Sequence, residues 1–233
     1  MPRIGVKRTL LQQHIAKYQD CTLCPLHKGR FKTVFTRGTI PCDILFIGEA
    51  PGESEDALGV PFVGPAGHLL DEIVEKSLSL AEFLGPDPEY RCISSLRVAF
   101  ANLVCCIPKE TQGGSKLGEP PHEAIKACRP RLKEFVCICK PRLIVLAGAL
   151  PRKWIYGQGE FSDNEEGTLD WIPEGEALAF AHIQHPAGIL RANVAQRGLL
   201  VQRAVVALSN AIEEVFGDAA DRRSQGEASG ESV

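Results

Sequence analysis

The chain holds 233 residues, 44% hydrophobic and 24% charged, with a formal net charge of −3. That is enough apolar material for one well-buried core, and a single domain is the expectation. No stretch reaches the roughly 20 apolar residues of a membrane span, and the first twenty residues carry Arg3, Lys7, Arg8 and Lys17 without the apolar run of a signal peptide. A cytoplasmic protein without a membrane partner is expected. The charge is uneven: residues 1–40 hold eight Lys/Arg against one acid, Asp20, a local face able to meet DNA while the whole chain stays acidic. On charge alone, a solvated basic helix fits equally well.

From the amino terminus, the spacing of Leu10, Leu11, Ile15 and Tyr18 predicts a helix over 7–18 that runs into the turn Cys21-Thr22-Leu23-Cys24. The apolar run 42–48 ends in Gly-Glu-Ala-Pro-Gly, the pattern of a buried parallel strand followed by a working loop. Leu69, Leu70, Ile73, Val74 and Leu78 predict a helix within 66–79. Residues 98–108, 141–148 and 177–186 are three more buried-strand candidates, and the cysteine-bearing runs LVCCIP and FVCICK also read as buried strands. Val201, Val205, Leu208, Ile212 and Val215 form one stripe of a last helix over 194–216. Residues 109–121 and 157–167 read as loops, and the polar stretch 218–233 as a disordered tail, leaving 1–217 as the folded domain. Helices between the strand candidates would cover a parallel sheet on both faces.

Nine cysteines, an odd number, do not suit the framework of a small secreted domain. Reduced thiols with one metal site fit better. The Cys21/Cys24 pair is specific for a metal or redox site without saying which, and four thiolates make either a tetrahedral zinc site or an iron–sulfur cluster, with zinc the generic expectation. A thioredoxin-like role is weakened because no strand-then-helix pattern frames the pair. Cys42, Cys92, Cys105, Cys137 and Cys139 read as small core residues. Three strand ends offer a carboxylate, an amide and an imidazole: Glu49, Asn102 and His185. Ligands bind at such edges of open parallel sheets, although each residue taken singly has a structural explanation.

Three motifs, in order, carry a resemblance. GEAPGESED (48–56) is followed by GVPFVG (59–64) and AGHLL (66–70); NLVCC covers 102–106; HPAGILR covers 185–191. Together they resemble the iron–sulfur, family 4 type of uracil-DNA glycosylase, over about residues 18–215. The resemblance implies an α/β three-layer αβα sandwich around a central, mainly parallel sheet of about four strands. It implies a monomeric, monofunctional enzyme of base-excision repair that releases uracil from single- or double-stranded DNA. Glu49 and His185 would be catalytic, Ala50, Glu55, Phe62 and Asn102 would bind the base, and Leu190 and Arg191 would meet the DNA. Leu190 as a duplex wedge stands beside a plain packing role. Cys21, Cys24, Cys106 and Cys128 would hold a structural [4Fe–4S] cluster, Cys106 being preferred to Cys105 only through the family match. The chain departs from the family at Pro65, Ala101, Cys-Ile-Pro-Lys (106–109) and a long 107–127 interval. It also lacks the Arg-rich insertion with which some relatives trap uracil-DNA covalently, and His68 reads as a helix-surface residue. The rival readings are a glycosylase for another damaged or modified base, and a uracil-DNA-binding protein that has lost turnover.

Overall fold

The computed structural model of the chain describes residues 9–84, 95–109, 118–156 and 178–217. The first helix, α1 (Leu10–Tyr18), starts where Thr9 and Gln12 cap each other: the Thr9 hydroxyl accepts from the Gln12 amide and the Gln12 side chain accepts from the Thr9 amide. A single 3-10 turn (Pro25–Lys28) follows the Cys21/Cys24 pair. Then come β1 (Arg37–Gly38), β2 (Ile44–Gly48), α2 (Glu53–Leu58), α3 (Pro65–Leu84), β3 (Val98–Asn102) and α4 (His122–Cys139). The chain continues through β4 (Leu143–Ala147), α5 (Ala149–Tyr156), β5 (Ala179–Ile183), α6 (Pro186–Arg191) and α7 (Val194–Phe216).

The strands lie in the order β1-β3-β2-β4-β5, with β1 antiparallel to β3 and the other pairings parallel. Side chains alternate across a strand, and here both faces are buried. Leu45, Ile47, Ala99, Ala101, Ile144 and Leu146 face one core with Leu132, Phe135 and Val136 of α4. Ile44, Phe46, Phe100, Leu143 and Val145 face the other with Leu70 and Ile73 of α3 and Leu208 and Ile212 of α7. That double burial explains why the strands read as unbroken apolar runs, and it makes the three-layer αβα sandwich. β2 has β3 on one side and β4 on the other, so the strand order turns at β2 and opens a crevice beyond the carboxyl ends.

The last helix spans 194–216 as expected, with Asn193 accepting from the Gln196 amide at its start. The helix predicted at 66–79 runs on to Leu84. The sheet has five strands rather than about four, because the two-residue β1 joins the edge of β3. FVCICK is not a strand: it closes α4, where a helical turn places Cys139 inside and Cys137 in solvent. Five apolar residues in a row cannot separate a buried strand from the end of a helix by periodicity alone, and Cys137, in solvent, is not a core residue. Cys92, the 157–167 loop, most of the 109–121 loop and the 218–233 tail lie outside the described residues. Among the described residues, no helix is long and apolar enough to cross a membrane.

Candidate active site

A cavity of about 670 Å³ lies beyond the carboxyl ends of β2, β3 and β5. Gly48 ends β2 in register with Asn102 at the end of β3. A Cβ on Gly48 would collide with both the Phe62 ring and the Asn102 amide, so glycine lets the aromatic face and the amide converge over one backbone atom. Asn102 is buried and lines the cavity. Phe62 holds a left-handed backbone at φ 56°, which is strained for a bulky residue. Its neighbours hold it there: Arg37 Nε donates to the Pro61 carbonyl at 3.0 Å, pairs with Asp71, and lies 3.9 Å over Phe100, whose ring centroid is 5.8 Å from that of Phe62.

The loop that carries Glu49 is braced from inside. One Glu55 oxygen accepts from the Val63 and Gly64 amides at 2.9 and 2.8 Å, and the other from the Gly52 amide at 3.1 Å. Glu55 lines the cavity, yet its carboxylate is spent on the loop backbone. Burial, with the charge of Glu119 added, pushes the Glu49 carboxyl above the ordinary carboxylate range, while Arg191 opposes the rise. His185 caps α6 and accepts from the Ala187 amide at Nδ1, 3.2 Å away. A ring nitrogen that accepts carries no proton, so the neutral tautomer has its hydrogen on Nε2. Burial, then the nearby Arg191 charge, keeps the imidazole below its ordinary value and hence neutral at pH 7. Gly148 at φ 110° lies against the His185 ring, with its Cβ position 3.1 Å from the His185 Cβ, so the turn after β4 seats the imidazole.

A second, small cavity of about 20 Å³ is lined by Cys21, Cys24, Cys105, Cys106 and Cys128, with Arg30 and Arg131. Arg30 donates to the Cys106 sulfur at 3.3 Å and to the Cys21 carbonyl at 2.7 Å. Arg131 is buried and donates to the carbonyls of Asn102 and Leu103 at 2.7 and 3.0 Å, and its Nε has no partner among the described residues. The thiol cavity and the end of β3 therefore share one guanidinium. Among the described residues, no group of three or more His, Cys, Asp or Glu is gathered as for a single metal ion.

The model of the uracil DNA glycosylase superfamily matches residues 35–209. The type-4 uracil-DNA glycosylase of Thermotoga maritima is 35% identical over 177 residues, 75% of this chain and 80% of that protein. The chain belongs to the type-4 uracil-DNA glycosylase family. The proteins of that name from Pyrobaculum aerophilum and Sulfurisphaera tokodaii are 35% and 33% identical over 58% and 60% of this chain. The chain spans only 59% and 54% of their lengths.

Of the residues that the family pattern singles out, Glu49, Ala50, Glu55, Phe62, Asn102, His185 and Arg191 all line the large cavity. Leu190 does not; it is half-buried against the core under α3 and α7. Cys21, Cys24, Cys106 and Cys128 share the small cavity, but so does Cys105, and the geometry brings both members of the 105–106 pair to it. His68 is exposed on α3. Sequence reasoning missed Glu119, Arg37, Arg131 and Asp56, which act through contacts distant in the chain. Asp56 is buried and accepts from the amides of Phe31 and Lys32 and from Lys109 Nζ at 2.9, 3.3 and 3.2 Å, joining the amino-terminal segment to the cavity loop. A lone buried acid between Glu55 and Ala57 gives no periodic signal that would mark it.

Proposed function

We propose that the protein hydrolyses the N-glycosidic bond of deoxyuridine in DNA, releasing uracil and leaving an abasic site for base-excision repair. One observation carries this reading: a single cavity gathers an aromatic face, a buried amide, a neutral imidazole with its proton on Nε2 and a half-buried carboxylate. A base extruded from the strand would stack on Phe62. The Asn102 amide, with both a donor and an acceptor, would pair with uracil O4 and N3–H and mismatch cytosine. As the C1′–N1 bond breaks, its electron pair stays on the base and charge grows at O2, where the His185 Nε2–H donates. Glu49 orients the attacking water, takes its proton as oxygen bonds to C1′, and faces the positive charge growing on the sugar. Ala50 and Glu55 complete the base pocket, with Glu55 fixing the loop that closes the base C5 side. No lysine lines the cavity among the described residues, and a strand-cutting lyase needs such an amine, which supports a monofunctional hydrolase.

The partner in this reading is uracil-containing DNA, single- or double-stranded, met by a monomer in the cytoplasm. Arg191, which lines the cavity, would meet a phosphate, and Leu190, packed against the core on one side, would fill the gap left in the duplex through its exposed edge. Cys21, Cys24, Cys106 and Cys128 would hold a [4Fe–4S] cluster. The donor set fits: the thiols share one cavity with two guanidiniums, one of which has an orphaned buried Nε, and the cationic pair offsets the negative charge of a thiolate-bound cluster. Bound there, the cluster supplies a covalent staple between the amino-terminal segment, the end of β3 and α4, rather than redox chemistry.

The test is uracil release from single- and double-stranded oligonucleotides with one uracil, scored by alkaline cleavage, with Glu49→Ala alongside. Release that the variant loses supports the reading. Tight uracil-DNA binding without release would make the protein a binding module, and release confined to 5-substituted pyrimidines or hypoxanthine would make it a glycosylase for another base.

A further inference from the structure

Phe31 stands 81% exposed, and two other large apolar side chains, Leu23 and Leu58, stand 70% and 61% exposed beside the same segment. Single exposed apolar residues are ordinary, but these three surround a cationic stretch. Between Cys21 and Pro41 the chain carries Lys28, Arg30, Lys32 and Arg37 and no acid. Lys28 and Lys32 are exposed, and Lys32 Nζ reaches the Leu58 carbonyl at 3.4 Å. Lys109 Nζ lies 5.0 Å from the Phe31 ring centroid. Asp56 beneath the patch is buried and paired with Lys109, and Glu53 lines the large cavity.

Two attachments place this patch at the cavity rim. The Phe31 amide donates to Asp56, the residue after Glu55 of the cavity wall, and Lys109 follows Pro108, another wall residue. At about 3.8 Å per residue the ring stands on the order of 10 Å from the wall, a reach of roughly one to three nucleotides. An exposed aromatic face amid cations is the chemistry by which proteins hold unpaired nucleic acid: the ring stacks a base and the ammoniums meet its phosphates. A base beside an extruded nucleotide has lost a stacking neighbour and presents such a face.

We propose that Phe31 is a stacking platform for an unpaired base of the DNA strand flanking the extruded nucleotide, with Lys28 and Lys32 on the adjacent phosphates. The inference rests on the proposed action on DNA. The Phe31 side chain touches neither the core nor the reaction site, so substitution leaves fold and chemistry in place.

The experiment is a cycle between protein and DNA. Wild type, Phe31→Ala and Phe31→Trp act on single-stranded oligonucleotides with one uracil, in which each of the three positions on either side is replaced in turn by an abasic analogue. For the wild type, one position should raise KM about tenfold on losing its base, the worth of one stacked base. Phe31→Ala should show that rise on the intact strand, with kcat unchanged, and be indifferent to the analogue at that position; Phe31→Trp should restore the wild-type pattern. Independent effects of protein and DNA changes at every position, or an unchanged KM in Phe31→Ala, would overturn the proposal. So would a change in oligomeric state by sedimentation with no effect on DNA, since a second copy would then be what covers Phe31. The same cycle read as binding of uracil-free strands by fluorescence anisotropy tests the platform even where no uracil is released, so the two readings fail separately.

Discussion

The two groups that would do chemistry, Glu49 and His185, are held away from their ordinary protonation behaviour by burial. In the proposed reaction both serve in their deprotonated forms, so base release should climb with pH along an acid limb that lies above the ordinary range for a carboxylate. Because Glu119 adds to the Glu49 shift, Glu119→Gln should move that limb to lower pH, and the difference should shrink in high salt because Glu119 is exposed. A pH–rate profile of kcat/KM for both proteins checks this. The raised carboxyl also has a stability consequence. The unfolded chain releases this proton near the ordinary value while the folded chain keeps it to higher pH, so the contribution of Glu49 is fully present below the ordinary value and is lost as pH rises through the folded one. Glu49→Gln should therefore abolish most base release and raise Tm at pH 7, with each 1 kcal/mol appearing as about 2–4 °C for a chain of this size. For His185→Ala, loss of an oxyanion-type donor should lower kcat by about 100- to 1000-fold.

Gly48, Gly148 and the Arg37 side chain behind Phe62 show how element ends fix the pocket. Gly148→Ala puts a methyl group against His185 at a positive φ and should lower kcat while sparing the far-ultraviolet circular dichroism. The second device is the α4 guanidinium. Arg131 joins the cysteine cavity to the carbonyl of Asn102, so Arg131→Met leaves two buried carbonyls without their donor. Each buried acceptor left without its donor costs about 1–3 kcal/mol, and both chemical denaturation and KM for uracil-DNA should register the change. The paired cysteines are separable in the same way: if the proposed cluster is bound, Cys106→Ser should lose its brown colour and iron, and Cys105→Ser should keep them. The reverse result would exchange their assignments.

In the whole molecule, two cores on opposite faces of one sheet set the frame, and the amino-terminal segment is attached to it chiefly by side-chain links. Lys17 pairs with Glu134 of α4, Arg30 reaches Cys106, and Asp56 takes the amides of Phe31 and Lys32. If a cluster staples Cys21 and Cys24 to the sheet, its removal by oxidation and chelation should release this segment before the cores. Hydrogen exchange should then rise over residues 9–36 while β2 and β4 stay protected.

The strands at 44–48, 98–102, 143–147 and 179–183 and the last helix were legible in the chain because burial on both sheet faces and on one helix stripe writes its period directly into the sequence. Glu49, Asn102 and His185 were legible for a related reason, as polar residues placed where apolar runs stop. What the period cannot carry is anything that depends on which distant segments meet. Only the tertiary structure decided that FVCICK ends a helix, that Glu55 spends its carboxylate on three backbone amides, that Glu119 raises Glu49, and that Arg37 and Arg131 stand behind Phe62 and Asn102. These are pairings across the fold, set by the strand order and by where each loop returns, and a local pattern of apolar and polar residues holds no record of them.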